Sequence, residues 1–222
     1  MALAAATVIK VQGDVKMIPA QGEPDKLAPG QRVETGAIIK TSANGEISLR
    51  FDDGQLLSLS PDTTFIINEY KFNPHKPEES RFTGSLLKGG LRTVAGIIGE
   101  KNKDNINFKV EAATLIIRGA DFALHYDREL YLAVQEGAVV ARNAGGEEIF
   151  DTQLRPYGVV ANAQTKPQPI MKDQLPAATQ STILVLQIHP LSDTIRKPMQ
   201  KHPSCIENNI SLLKTAPTIN VR

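Results

Sequence analysis

Two alternating runs joined by a tight reversal constrain this chain more than any other feature. In residues 121–126, Phe122, Leu124 and Tyr126 point one way, and Ala123 and His125 point the other. After Asp127-Arg128-Glu129 the pattern resumes with Leu130, Leu132 and Val134. Successive side chains of an extended chain leave on opposite faces, so period-two alternation marks a half-buried strand. The preceding run, residues 114–117, stops at Arg118-Gly119, and the last one closes at Glu136-Gly137.

The same grammar runs through residues 7–165. Reversal signals fall at Gly13-Asp14, Leu27-Ala28-Pro29-Gly30, Gly36, Asn44-Gly45, Asp52-Asp53-Gly54, Lys88-Gly89-Gly90 and Asn143-Ala144-Gly145-Gly146. Asn-Gly is the strongest of these, because both residues tolerate positive φ. No stretch shows the apolar period of an amphipathic helix. Many short strands with turns every five to ten residues predict an all-β fold. A β-solenoid-like or double-stranded β-helix stack is the expected form, with a β-sandwich as the alternative.

A shift of 75 positions favours the stack. It lays Leu49, Phe51, Asp52, Leu57 and Leu59 on Leu124, Tyr126, Asp127, Leu132 and Val134, and Asn44-Gly45 within one residue of Arg118-Gly119. Two similar halves are what stacked coils with a shared core would produce.

Composition narrows the function. Aromatic residues are 5% of the chain and Trp is absent, which predicts an aliphatic core and argues against an aromatic-lined glycan or nucleic-acid site. A net charge of +1 offers no global field for nucleic acid or anionic lipid. No apolar run reaches the length of a membrane-spanning helix.

The ends differ from the body. Residues 1–6 are Ala-rich, and Ala2-Leu3-Ala4 has the small-x-small form of a signal-peptidase site, so they are read as the remnant of an export signal. From residue 166 the chain carries seven of the 14 prolines and seven basic residues against three acidic. Residues 166–222 are therefore expected to form a largely irregular basic tail, with one candidate element at 181–188. The single cysteine, Cys205, supports neither a disulfide framework nor a cysteine metal site.

No catalytic constellation emerges, and no cofactor is expected. His75, His125, His189 and His202 are scattered, whereas a cupin-type metal site needs clustered histidines and a carboxylate. Asp52 and Asp53 lack the spaced ligands of a calcium loop and read as turn formers. Ser58 and Ser60 lie outside any nucleophile elbow. A metal-dependent or hydrolytic enzyme on a β-scaffold is the competing class.

The motifs, taken in order, resemble the FecR domain. Gly13-Asp14-Val15 opens the match. Leu27-Ala28-Pro29-Gly30 and Gly36-Ala37-Ile38-Ile39-Lys40-Thr41 look like the family's "L-x-x-G, then G-D-x-I-x-T" section. Leu49-Arg50-Phe51-Asp52-Asp53-Gly54 looks like "L-x-F-x-D-G", followed by Leu57-Ser58-Leu59-Ser60-Pro61. Leu86-Leu87-Lys88-Gly89-Gly90-Leu91-Arg92 looks like "L-x-x-G-x-x-R". Ile117-Arg118-Gly119-Ala120-Asp121-Phe122 looks like "V-R-G-T-x-F", and Val134-Gln135-Glu136-Gly137-Ala138-Val139 like "V-x-E-G-x-V". Ala37, Ala120 and Glu111 depart from the usual Asp, Thr and Thr, and lose hydrogen bonds at turns.

The resemblance spans roughly residues 8–160 and implies a non-enzymatic, periplasmic or secreted, all-β domain. Full-length regulators of iron-citrate transport also carry a sigma-factor-binding segment and a membrane helix. Neither is read in these residues, so the resemblance implies the stand-alone exported form, acting on an envelope protein or glycan. The candidate contacts are Ile97 and Ile98, read as an apolar tip on a mobile loop, and Arg118. For Arg118 the favoured reading is that it braces a corner, by bonding carbonyls or pairing with Asp14, Asp121 or Glu136. Gly13, Asp14, Gly30, Gly36, Gly54, Gly119 and Gly137 are assigned a structural role at strand reversals.

Overall fold

A computed structural model describes residues 4–102 and 104–184. Within them are fifteen strands and two α-helices. The strands are β1 (Ala4–Gln12), β2 (Val15–Ile18), β3 (Asp25–Lys26), β4 (Arg32–Glu34), β5 (Ile38–Thr41), β6 (Glu46–Phe51), β7 (Leu56–Leu59), β8 (Thr64–Lys71), β9 (Arg81–Val94), β10 (Ile106–Val110), β11 (Ala113–Tyr126), β12 (Leu130–Asn143), β13 (Gly146–Asp151), β14 (Tyr157–Val160) and β15 (Gln168–Pro169). The helices are α1 (Ile97–Lys101) and α2 (Ala177–Leu184). The protein is mostly β, as expected, and its strands form one large mixed sheet that does not close.

Three strands of 14 residues each change partners midway and divide the sheet into two leaves. The C-terminal half of β9 pairs with β7 and with residues 121–126 of β11, which pair in turn with the first half of β12. This first leaf reads β4-β1-β6-β7-β9-β11-β12-β14-β15. The N-terminal half of β9 pairs with β8 on one side and, in parallel, with β10 on the other. This second leaf reads β3-β2-β5-β8-β9-β10-β11-β12-β13.

The core lies between the leaves and is more aromatic at its centre than composition predicts. Six of the seven phenylalanines are fully buried, at 2% exposure or less. Phe51 of the first leaf meets Phe82 of the second edge-on at 5.1 Å, and Phe108 meets Phe122 in the same way at 5.4 Å. Phe82 and Phe108, 5.2 Å apart, join these pairs into one row. Edge-to-face pairs add roughly 0.5–1.5 kcal/mol each beyond the area they bury. The few aromatic residues sit almost entirely at inward-facing positions, so their scarcity does not make the core aliphatic.

The chain crosses between leaves at sharp corners, and corners stack in pairs. A Cβ on Gly13 would lie 2.0 Å from the Asn44 carbonyl oxygen, where β5 gives way to β6. A Cβ on Gly137 would lie 2.3 Å from the Gly119 carbonyl oxygen, which brings the bends of β12 and β11 together. The 75-residue echo acquires a meaning here. It superposes the β6–β7 hairpin on the β11–β12 hairpin, both in the first leaf and both entered through a corner from the second.

The expected boundaries shift. β1 starts at Ala4, and Ala5 and Ala6 are fully buried, so residues 4–6 belong to the folded body. Beyond 165 the chain continues through β15 into α2, which packs on β9, β11 and β12. Residues 181–184 of the element expected at 181–188 lie in α2; residues 185–188, Cys205, His189 and His202 lie outside the described residues.

Candidate functional site

Residues 95–105, expected as an open loop, contain α1, and α1 packs on the bend of β11. Gly99 makes the approach possible: a Cβ there would stand 2.8 Å from the Ala95 methyl carbon and 2.9 Å from Ile106. The helix orients its two isoleucines oppositely. Ile98 is fully buried in the core, which removes it as a contact residue, whereas Ile97 is 41% exposed.

Asp53 fixes α1 in place. Its carboxylate accepts from the backbone N–H of Ile98 at 3.3 Å, the N–H of Gln55 at 3.2 Å and the Tyr70 hydroxyl at 3.3 Å. The Asp53 carbonyl accepts from Ile97 N–H at 3.0 Å, and its own N–H donates to Tyr70 Oη at 2.9 Å. A carboxylate at a helix N-terminus satisfies donors that have no intrahelical partner. Burial pushes the Asp53 carboxyl above its usual range, and the hydrogen bonds only partly offset this. The Tyr70 hydroxyl is driven strongly upward, first by burial and then by the Asp53 charge, so it stays a proton donor. Gln55 beside it is buried with both side-chain polar atoms unpartnered.

Arg118 lies on the same corner. Its side chain is 43% exposed, and Nε stands 3.5 Å from Asp104 Oδ1, in the connection after α1. An exposed pair of this kind contributes about 0–1 kcal/mol. Asp14 faces Lys26 at 3.8 Å, and Asp121 pairs with Arg92. The structure thus brings Ile97 and Arg118 to one end of the sheet, with Asn102 donating to the Glu78 carbonyl at 2.7 Å to close the far side of α1. Gly13, Gly30, Gly36, Gly54, Gly119 and Gly137 all have positive φ.

Sequence reasoning missed the first leaf's outer face. Register places Ser48, Ser58, Arg92, Ala123 and Ala133 in one row across five strands. Ser48 and Ser58 bond through their hydroxyls at 2.7 Å. Arg92 grips Asp121 with two parallel bonds, Nε to Oδ1 at 2.9 Å and Nη2 to Oδ2 at 2.8 Å, and Nη1 donates to the Ile183 carbonyl on α2. The one signal available was the phase of Arg92 between Leu91 and Thr93, which marks the outer face but not what covers it.

The described residues hold no group of three or more His, Cys, Asp or Glu side chains able to share a metal ion. No described helix is long and apolar enough to cross a membrane.

Residues 37–140, which contain α1, Asp53, Arg92 and Arg118, match the family model described as "FecR protein". No curated protein matches the chain. Two crystal structures of a candidate anti-sigma factor from Parabacteroides distasonis are similar to it, at 12% identity with TM-score 0.47 and at 14% identity with TM-score 0.45. Each comparison covers 60% of this chain and 58% of that one, so the chain spans little more than half of those structures.

Proposed function

We propose that this protein is a non-enzymatic signalling or scaffolding module of the bacterial envelope, periplasmic or secreted, that engages a protein or glycan partner. The observation that carries this reading is the surface at the β11 bend. It presents an exposed isoleucine, Ile97, and an exposed arginine, Arg118, on a short helix and a strand corner held by a buried carboxylate. Exposed apolar and Arg side chains on a rigid support suit recognition, because little conformational freedom is lost on binding. A protein partner fits this surface better than a glycan, since it holds no aromatic platform. In the same reading the two leaves form a solenoid-like stack, supported by the paired corners at Gly13 and Gly137.

The test is capture of partners from envelope extract with the wild-type chain and with an Ile97→Asp, Arg118→Glu double variant. The reading expects partners held by the wild type to be lost from the double variant while its circular dichroism is unchanged. Retention of every partner contradicts it. Localisation is tested separately, by fractionating cells that express the natural gene; a wholly cytoplasmic pool contradicts an envelope role.

A further inference from the structure

Helix α2 covers the outer face of the first leaf with poorly matched polar groups. Thr179 and Thr182 are its buried residues, at 0% and 1% exposure. Thr182 Oγ1 donates to the Ala178 carbonyl at 2.9 Å and lies 3.4 Å from Ser60 Oγ. Thr179 Oγ1 is buried with no partner. Beneath the helix, Gly90 leaves a small polar space. A Cβ on Gly90 would lie 2.5 Å from both Ser60 Oγ and Thr182 Oγ1, and 3.1 Å from His125 Nδ1. That His125 nitrogen is also buried without a partner. Arg92 also reaches across the interface and donates to the Ile183 carbonyl.

We infer that α2 is a releasable strap over the first leaf, and that protonation of His125 releases it. Most helical stability comes from packing, and over residues 177–184 this helix buries only Thr179 and Thr182, so its state depends on docking. Docking leaves His125 Nδ1 without an acceptor, and a protonated ring would carry a second donor into the same place. Burial lowers the affinity of the ring for a proton, and the nearby Asp127 charge only partly opposes this.

The other ionisable groups around the ring are engaged. Arg92 on β9 is held by Asp121, and Tyr131, the register partner of His125 on β12, donates to Glu129 at 2.5 Å. Residues 177–184 of the helix contain no ionisable side chain. The sign follows: the docked state prefers the neutral ring, so docking is complete above the ordinary histidine value of 6.5 and weakens as pH falls below it.

Hydrogen exchange on the full chain tests the strap. Protection of residues 177–184, corrected for the intrinsic pH dependence of exchange, is compared at about pH 7.5 and about pH 5.5. The wild type is expected to lose protection several-fold at the lower pH, up to about tenfold for each unit by which docking depresses the His125 pKa. His125→Gln is expected to keep protection and lose its pH dependence. Equal protection of the wild type at both pH values overturns the proposal, as does an unchanged pH response in His125→Gln. Should His125→Gln not fold, the ring titration of the wild type decides by magnetic resonance. Titration below the ordinary value, together with loss of α2 protection, supports the strap; titration at or above it with α2 still protected overturns it.

Discussion

Arg92 and Asp121 form a two-bond ion pair, 2.9 and 2.8 Å, between adjacent strands at the centre of the first leaf. The Arg92 side chain is 8% exposed and that of Asp121 is 17% exposed. Deleting one partner of such a pair leaves a buried charge uncompensated, which costs about 3–5 kcal/mol. Arg92→Ala and Asp121→Ala are each expected to lower unfolding stability in urea by that amount. Arg118→Ala is expected to cost less than about 1 kcal/mol, because its pair with Asp104 is exposed. Equal losses for Arg92→Ala and Arg118→Ala would contradict this ranking.

The stacked corners make a second prediction. Gly137 has φ +74°, and an added Cβ would collide with the Gly119 carbonyl, a backbone atom that cannot swing aside. Gly54 has φ +88° but open space around it. Gly54→Ala should therefore cost about 1–2 kcal/mol, the ordinary penalty of the left-handed conformation. Gly137→Ala should cost distinctly more, about 3 kcal/mol or above. Paired thermal and urea melts measure the difference; identical losses would mean that the corners do not touch.

Asp53 supplies a pH dependence of stability. Its folded value is raised above the model-peptide value of 3.8, chiefly by burial. The folded state thus holds the proton to a higher pH than the unfolded chain does. The stability from this group is fully present below about pH 3.8 and is lost as pH rises through the raised folded value. Urea melts between about pH 4 and pH 7 should show the wild type losing stability relative to Asp53→Asn as pH rises. A constant difference between the two proteins rules the assignment out.

Much of this fold was legible because alternation and reversal are local properties. The hairpin from β11 to β12, the turn at Asp127-Arg128-Glu129 and the corner glycines all follow from period two and from residues that accept positive φ. What was not legible depends on contacts across the sheet. Asp53 reads as a turn former, since nothing nearby in sequence shows that the N-terminus of α1 comes to rest on it, 45 residues downstream. Ile97 and Ile98 look alike in a Gly-flanked pair, and only docking of α1 buries one and exposes the other. The bond from Arg92 to the Ile183 carbonyl spans 91 positions, and no local pattern encodes it. The Ala-rich start illustrates a different ambiguity: small residues suit a cleavage site, but they equally suit the packed strand that Ala5 and Ala6 occupy.

The central claim, that the β11 bend is where this domain meets its partner, is tested most directly by site-specific photo-crosslinking in the native cell. A photoreactive residue replaces Ile97 in one protein and Leu154, an 80% exposed residue in the turn between β13 and β14, in another. The expected result is one discrete protein adduct at position 97, absent at position 154 and lost when Arg118→Glu is added. No adduct at position 97, or the same adduct at both positions, would contradict the assignment.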